Sequence, residues 1–328
     1  MILIVLVSIV MGIVPMLIYA TCLWWLDRWE KEPLHLMAAA FLWGFIPSAI
    51  IALVAQIILG FPAAAVFGEH SLGYELFSGS IIAPITEELV KGFAVLVIFI
   101  FFYREFDSAL DGIIYGSLAG FGFAAIENVL YFVGGGYEDP SSLGCLIFMR
   151  AVLFGLNHAF FTSLTGLGFA MARYQKNIGL KLLLPLIGLI AAMFAHGLHN
   201  GLATFGIVGL PFAVAADWLG VLGVLIIALV SLFHEAGWIE KYLTEEVQLG
   251  TISAQQAATV GSFTGRIGSN FSSLAGGPVN WWRTRRFYQQ CSELAFKKHQ
   301  LEKMGNEGGN QAIVEKLRDE VRGLSGQV

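Results

Sequence analysis

Inside stretches that are otherwise apolar, the chain carries side chains able to move protons or bind cations. They are Glu87, Glu88 and Lys91; Glu127 beside Asn128; Arg150 and the pair Asn157–His158; His196, His199 and Asn200; and Asp217. A buried carboxylate can act as a general base, an imidazole can share or donate a proton, and an amide N–H can hold a developing oxyanion. Carboxylate and imidazole together also suit zinc with an open coordination position; Glu127, His158 and His196 are the candidate ligands here. Chains of the same groups form proton relays in transporters.

Spacing sharpens these readings. Glu87 and Lys91 are four apart and Glu88 and Lys91 three apart, so a helix brings all three to one side. Lys91 can then neutralise one glutamate and leave the other as a base. His196 and Asn200, four apart, also share a face, with His199 turned about 60° aside. Singly, each feature has a plainer reading. Glu88–Lys91 reads as a structural ion pair, Asp217 as a solvated or capping residue, Arg150 as a carboxylate anchor and His199 as a packing residue. Asn128 stands beside Glu127 as a supporting residue.

These residues must be positioned by membrane helices. Apolar stretches long enough to cross about 30 Å of hydrocarbon lie at 2–24, 36–60, 80–103, 109–133, 145–172, 180–205 and 211–233. The fold class expected is therefore all-α, a polytopic bundle of about seven transmembrane helices (residues 1–235). A polar, helical or flexible tail follows at 236–328. The first stretch lacks a basic n-region and a small-residue cleavage site, so it reads as a retained span. Lys and Arg follow the first, third and fifth stretches, whereas the connections at 61–79, 134–144 and 206–210 have none. By the positive-inside rule the N-terminus is outside and the tail cytoplasmic; the tail holds more than half of the chain's 19 basic residues.

At 1.5 Å of rise per residue, Glu87 and Glu127 lie about 10 and about 9 Å below the outer ends of their stretches. His196, Asn200 and His158 lie about 14, about 8 and about 20 Å deep. Ionisable groups are costly in hydrocarbon and rarely face lipid, so a shared depth predicts one converging polar cavity. Small residues along 112–125 predict close helix packing, and Gly134–Gly136 predict a flexible turn. In the tail, 281–303 combines Trp281, Trp282, Phe287 and Tyr288 with Arg285, Arg286, Lys297 and Lys298, which suits an amphipathic, interfacial helix.

Composition sets the outer bounds. The 328 residues are 56 % hydrophobic and 13 % charged, with a mean hydropathy of +0.71. A soluble domain carries about 25 % charge. That excludes an ordinary soluble enzyme, a disordered chain and a nucleic-acid binder, and the net charge of −5 predicts no polyanionic partner. Cys22, Cys145 and Cys291 lie far apart, so neither a disulfide framework nor a thiolate zinc site is indicated. HExxH, GxGD and GxSG motifs are absent; His234-Glu235, at the end of the last stretch, lacks the second histidine of a zinc motif.

The ordered motifs resemble a known family. Leu26–Pro33 (LDRWEKEP) leads into Ala40–Gly44, followed by Glu87-Glu88-x-x-Lys91, Gly122-Phe123-Ala124-x-x-Glu127-Asn128, Asn157-His158-Ala159 and His196-Gly197-x-x-Asn200. Over roughly residues 15–235 the set looks like the PrsW family of intramembrane proteases, relatives of the CAAX prenyl endopeptidases. The resemblance implies cleavage of a single-span membrane protein, for example an anti-sigma factor, in the cell membrane. It implies that Glu87 activates water with a histidine, and that His196 and Asn200 form the HxxxN pair that helps hold the oxyanion. Where the prenyl endopeptidases have EExxxR and FxxxH, this chain has EExxK and Phe123-xxx-Glu127. The partner of the base is then His158, or Glu127 plays another part, positioning water or binding zinc. The rival expectation is a proton- or ion-coupled transporter built on the same Glu/His cluster.

Overall fold

The computed structural model describes residues 1–328, which fold into helices with no strand. The chain separates into two compact units, one comprising Met1–Leu26 and Glu32–Ala228 and the other Asp27–Lys31 and Leu229–Val328.

The first unit holds α1 (Ile2–Leu26), α2 (Leu34–Phe67), α3 (Ala83–Phe101), α4 (Ala109–Glu138), α5 (Leu143–Arg173), α6 (Ile178–Thr204) and the first part of α7 (Gly206–Gln248). Six of these, all but α3, are long and apolar enough to cross a membrane. The exception corresponds to the expected span at 80–103, and the reason is chemical. Glu87, Glu88 and Lys91 give its 19 residues more charge than such a helix ordinarily carries, and all three are buried.

Local chemistry sets the ends. Ser108 begins α4 with a capping box, its Oγ accepting from the Leu110 and Asp111 amides while Asp111 Oδ2 accepts from the Ser108 amide at 2.6 Å. Asn177 Oδ1 accepts from the Gly179 amide at 2.8 Å and starts α6. Helix α4 is the centre of this unit and is buried along most of its length. Its glycines let α5 approach at backbone distance. A Cβ at Gly112 would sit 2.4 Å from the Gly166 carbonyl oxygen, at Gly116 2.5 Å from that of Thr162 and at Gly120 2.3 Å from that of His158. Trp43 Nε1 donates to the Val90 carbonyl at 2.8 Å and ties α2 to α3.

Three wide π turns interrupt the helical runs, at Gly44–Ser48, Ser78–Ile82 and Phe148–Leu153. Helices with such turns place side chains off the regular helical register, often at functional sites.

Two expected breaks are not where the sequence puts them. Gly134–Gly136 are helical, because α4 runs on to Glu138. The connection expected at 206–210 is already α7, since Gly206 adopts φ +55° and turns the chain directly after Thr204.

The second unit is a packed helical body with α8 (Ala254–Val260), α9 (Phe263–Ala275), α10 (Pro278–Met304) and α11 (Asn310–Ser325) beside the end of α7. Its core includes Trp29, Ile239, Leu243, Phe287, Cys291, Leu294, Val314 and Val321. Trp29 Nε1 donates to the Leu232 carbonyl at 3.1 Å. Buried Glu246 accepts from Lys298 at 2.7 Å, Arg318 Nη2 at 2.8 Å and Thr251 Oγ1 at 2.9 Å. Of the residues that suggested an interfacial helix at 281–303, Phe287 and Tyr288 are buried in this core, as are Leu294 and Phe296 farther along the helix, while Trp282 is exposed.

Candidate active site

The spacing on α3 does what the sequence suggests. Lys91 is fully buried, its Nζ 2.5 Å from Glu88 Oε1, 3.7 Å from Glu87 Oε2 and 3.2 Å from His158 Nδ1. The ammonium also lies 4.5 Å from the Phe123 ring centroid. Glu88 is saturated: its Oε2 accepts from Thr162 Oγ1 at 2.9 Å and its Oε1 lies 2.9 Å from His196 Nδ1. Glu87 is held differently. Gln56 Nε2 donates to its Oε1 at 3.1 Å, while its Oε2 is buried and has no hydrogen-bond partner.

Charge decides the tautomers. A carboxylate only accepts, so His196 Nδ1 carries the hydrogen it shares with Glu88 and its Nε2 lone pair stays free, 3.8 Å from Glu87 Oε2. The Phe161 ring stacks on His196, with centroids 4.8 Å apart and planes at 14°, and fixes the imidazole. An ammonium only donates, so His158 Nδ1 accepts from Lys91 and its Nε2–H points to Glu127 Oε2 at 3.0 Å. Glu127 is also bound by Arg150 Nη2, whose Nε donates to Asn128 Oδ1 at 3.0 Å. Arg150 lies 3.7 Å over the Tyr131 ring.

Asn200 Nδ2 donates to the Gly79 carbonyl at 2.8 Å, which leaves its second N–H for the cavity. His199 is oriented by Asp217, Nδ1 to Oδ2 at 2.7 Å, and Asn157 Nδ2 donates to the same oxygen at 2.8 Å. Asp217, read from sequence as solvated or capping, is 3 % exposed.

These groups converge on a cavity of about 430 Å³ lined by Glu87, Glu127, His158, His196, His199 and Asn200. An apolar groove of about 470 Å³ adjoins it and shares Gln56, Glu87, Glu127 and Tyr131. The groove is walled by Phe45, Ile50, Leu53 and Leu130 of α2 and α4. Glu87 therefore borders both a polar and an apolar space.

The residues able to hold a metal are Glu87, His158 and His196, whose ligand atoms lie within 4.8 Å of one another. One carboxylate and two imidazoles match a catalytic zinc site with an open position. Glu87 Oε2, buried and without a hydrogen bond, also fits a cation, as does the free His196 Nε2. Glu87 thus stands where the sequence suggested Glu127, whose carboxylate is taken up by Arg150 and His158.

Gln56 and Thr162 were not anticipated. Gln56 carries a signal, being a lone amide within an apolar run; Thr162 carries none, because threonine is common in membrane helices.

A family profile described as "PrsW family intramembrane metalloprotease" matches residues 32–233, a stretch that contains every residue of this cavity. The chain is 31 % identical over 186 residues to the protease PrsW of Geobacillus kaustophilus, covering 54 % of this chain and 70 % of that protein. It is 28 % identical over 213 residues to the protease PrsW of Bacillus subtilis, covering 64 % of this chain and 90 % of that one. Against the protease PrsW of Oceanobacillus iheyensis it is 30 % identical over 212 residues, 62 % of this chain and 87 % of the relative. No solved structure matches.

Proposed function

The chain belongs to the PrsW family of intramembrane metalloproteases, and from that premise we propose that Glu87 is its essential carboxylate and a single-span membrane protein, such as an anti-sigma factor, its substrate. The observation that carries this reading is Oε2 of Glu87, which makes no hydrogen bond and is buried where the polar cavity meets the apolar groove. The groove accepts an unwound segment of the substrate's span, and the polar cavity supplies water.

In the glutamate mechanism, Glu87 Oε2 takes a proton from water while Gln56 holds the other oxygen. His196 Nε2 shares that proton and delivers it to the leaving amine. The free N–H of Asn200 donates to the developing oxyanion. Glu88, Lys91 and Thr162 keep His196 in one tautomer; Arg150 and Glu127 do the same for His158. Zinc held by Glu87, His158 and His196 would supply a water acidified enough to be a nucleophile at neutral pH. Glu87 has one oxygen without a hydrogen bond, so it serves as base or as ligand. The alternation of Lys and Arg among the connections supports placing the N-terminus outside and Leu229–Val328 in the cytoplasm, in the cell membrane.

The test is purified protein in liposomes with labelled single-span substrates, fragments read by mass spectrometry, with wild type beside Glu87→Gln. The expected result is a defined cut that falls at least about 10²-fold in the variant. A cut that survives unchanged moves the base elsewhere. Proton flux with no fragment from either protein would instead favour a transporter. Zinc content by atomic absorption, with loss of both metal and cleavage on chelation, selects the ligand role for Glu87; metal-free protein that still cleaves selects the base.

A further inference from the structure

Helix α9 is built inside out. At about 100° per residue, Phe263, Ile267, Phe271 and Leu274 fall within an arc of roughly 80°, and all four are exposed, Phe271 at 71 %. One flank of the stripe, with Arg266, Ser269, Asn270 and Ser273, is the covered side, while Thr264, Gly268 and Ser272 on the other flank are exposed. Ser269 Oγ accepts from the Tyr288 hydroxyl. Arg266 Nη2 donates to Ser292 Oγ at 2.5 Å and its Nε to the Val260 carbonyl at 2.6 Å. A helix on a water-soluble body buries its apolar stripe and shows its polar face to solvent. Here the groups turned inward are polar and the whole apolar stripe is left outside, so the stripe calls for an apolar medium.

A second observation says which medium. Arg266 Nη1 donates to the Arg28 carbonyl at 3.4 Å and to that of Trp29 at 3.5 Å, and the Arg28 guanidinium lies 4.3 Å over the Phe263 ring. Residues 27–33 are the whole connection between α1 and α2, both long and apolar enough to span. Helix α9 is thus bonded to a segment that chain connectivity keeps at a membrane surface. Charge adds a third observation. Past the turn at Gly276 and Gly277, Val279 and Trp282 are 63 % and 53 % exposed. Arg283, Arg285 and Arg286 are exposed beside them, with Arg286 5.3 Å over the Trp282 ring. An apolar stripe rimmed by guanidinium groups is the make-up of a helix lying in the headgroup layer of an anionic bilayer.

We propose that α9 and the first three turns of α10 form an in-plane membrane anchor. Phe263, Ile267, Phe271 and Leu274 enter the acyl region, and Arg283 and Arg286 bind anionic phospholipid headgroups. The anchor stands independently of the protease mechanism.

The experiment uses full-length protein in vesicles of phosphatidylglycerol and phosphatidylcholine with brominated acyl chains. In a Cys22→Ser, Cys145→Ser background, an environment-sensitive dye is placed by Ile267→Cys, by Phe271→Cys or, as the polar-side control, by Ser272→Cys. The dye at 267 and 271 is expected to shift to the blue and be quenched several-fold more than at 272. Purely zwitterionic vesicles, or Arg283→Gln with Arg286→Gln, should reduce that quenching at least twofold. Water-like, unquenched emission at all three positions overturns the anchor. Energy transfer between copies labelled at 271 that persists on dilution into lipid, with no bromine quenching, also overturns it and assigns the stripe to a second copy. Quenching indifferent to headgroup charge overturns the role given to the arginines.

Discussion

Lys91 is a buried ammonium that three groups share, Glu88, Glu87 and the His158 ring. Removing its charge with Lys91→Met leaves Glu88 buried with only His196 and Thr162 as partners. Breaking one side of a buried ion pair costs about 3–5 kcal/mol. The variant should therefore unfold at markedly lower temperature in detergent, and the double change Glu88→Gln with Lys91→Met should recover much of that loss. At this scale the residue types were legible, because charges in apolar runs stand out whatever the helices do. Their partners were not. Whether Glu127 faces a metal or Arg150 depends on how α4 and α5 are rotated about their axes, which spacing within one helix does not fix. Asp217 was misread for the same reason: its partners Asn157 and His199 lie on α5 and α6.

The contact between α4 and α5 rests on an absence of side chains. Gly116→Leu places a branched chain where even a Cβ would lie 2.5 Å from the Thr162 carbonyl oxygen. Overpacking of this kind costs about 1–3 kcal/mol, and the displaced α5 carries His158 and Thr162 away from Lys91 and Glu88. Cleavage is expected to fall more than stability does, read as initial rate against the unfolding midpoint; equal falls would mean that the helix moves without disturbing the site. The four-residue glycine spacing could be read in advance, and so could most helix positions, since both are properties of a single segment. The π turns could not, nor could the shortness of the break after Thr204, which is Phe205 alone rather than 206–210.

Across the whole molecule, the segment Asp27–Lys31 belongs to the same compact unit as the tail although about 200 residues separate them in sequence. Apolar runs announced the membrane part; nothing local announced that Trp29 completes a core with residues past 229. Within that unit His299 stacks on Trp238 at 3.9 Å, and burial together with Lys303 pushes its pKa down to about 4 from the ordinary 6.5. The folded unit thus prefers the neutral ring, and the unfolded chain binds a proton first. The stabilisation is complete above pH 6.5 and is lost as pH falls towards about 4. Calorimetry of the intact protein should show a transition that drops over this window, and the drop should flatten in His299→Phe. The groove beside Glu87 has a kinetic corollary. Ile46, Ile50, Leu53 and Leu130 in its wall are 51 %, 57 %, 53 % and 58 % exposed, so a membrane-spanning substrate of the kind proposed above would reach the carboxylate from within the lipid sheet, with water coming from the polar cavity. The enzyme then senses substrate per unit of bilayer area. Adding inert phospholipid at constant bulk substrate should slow turnover in proportion, and adding buffer should leave it unchanged.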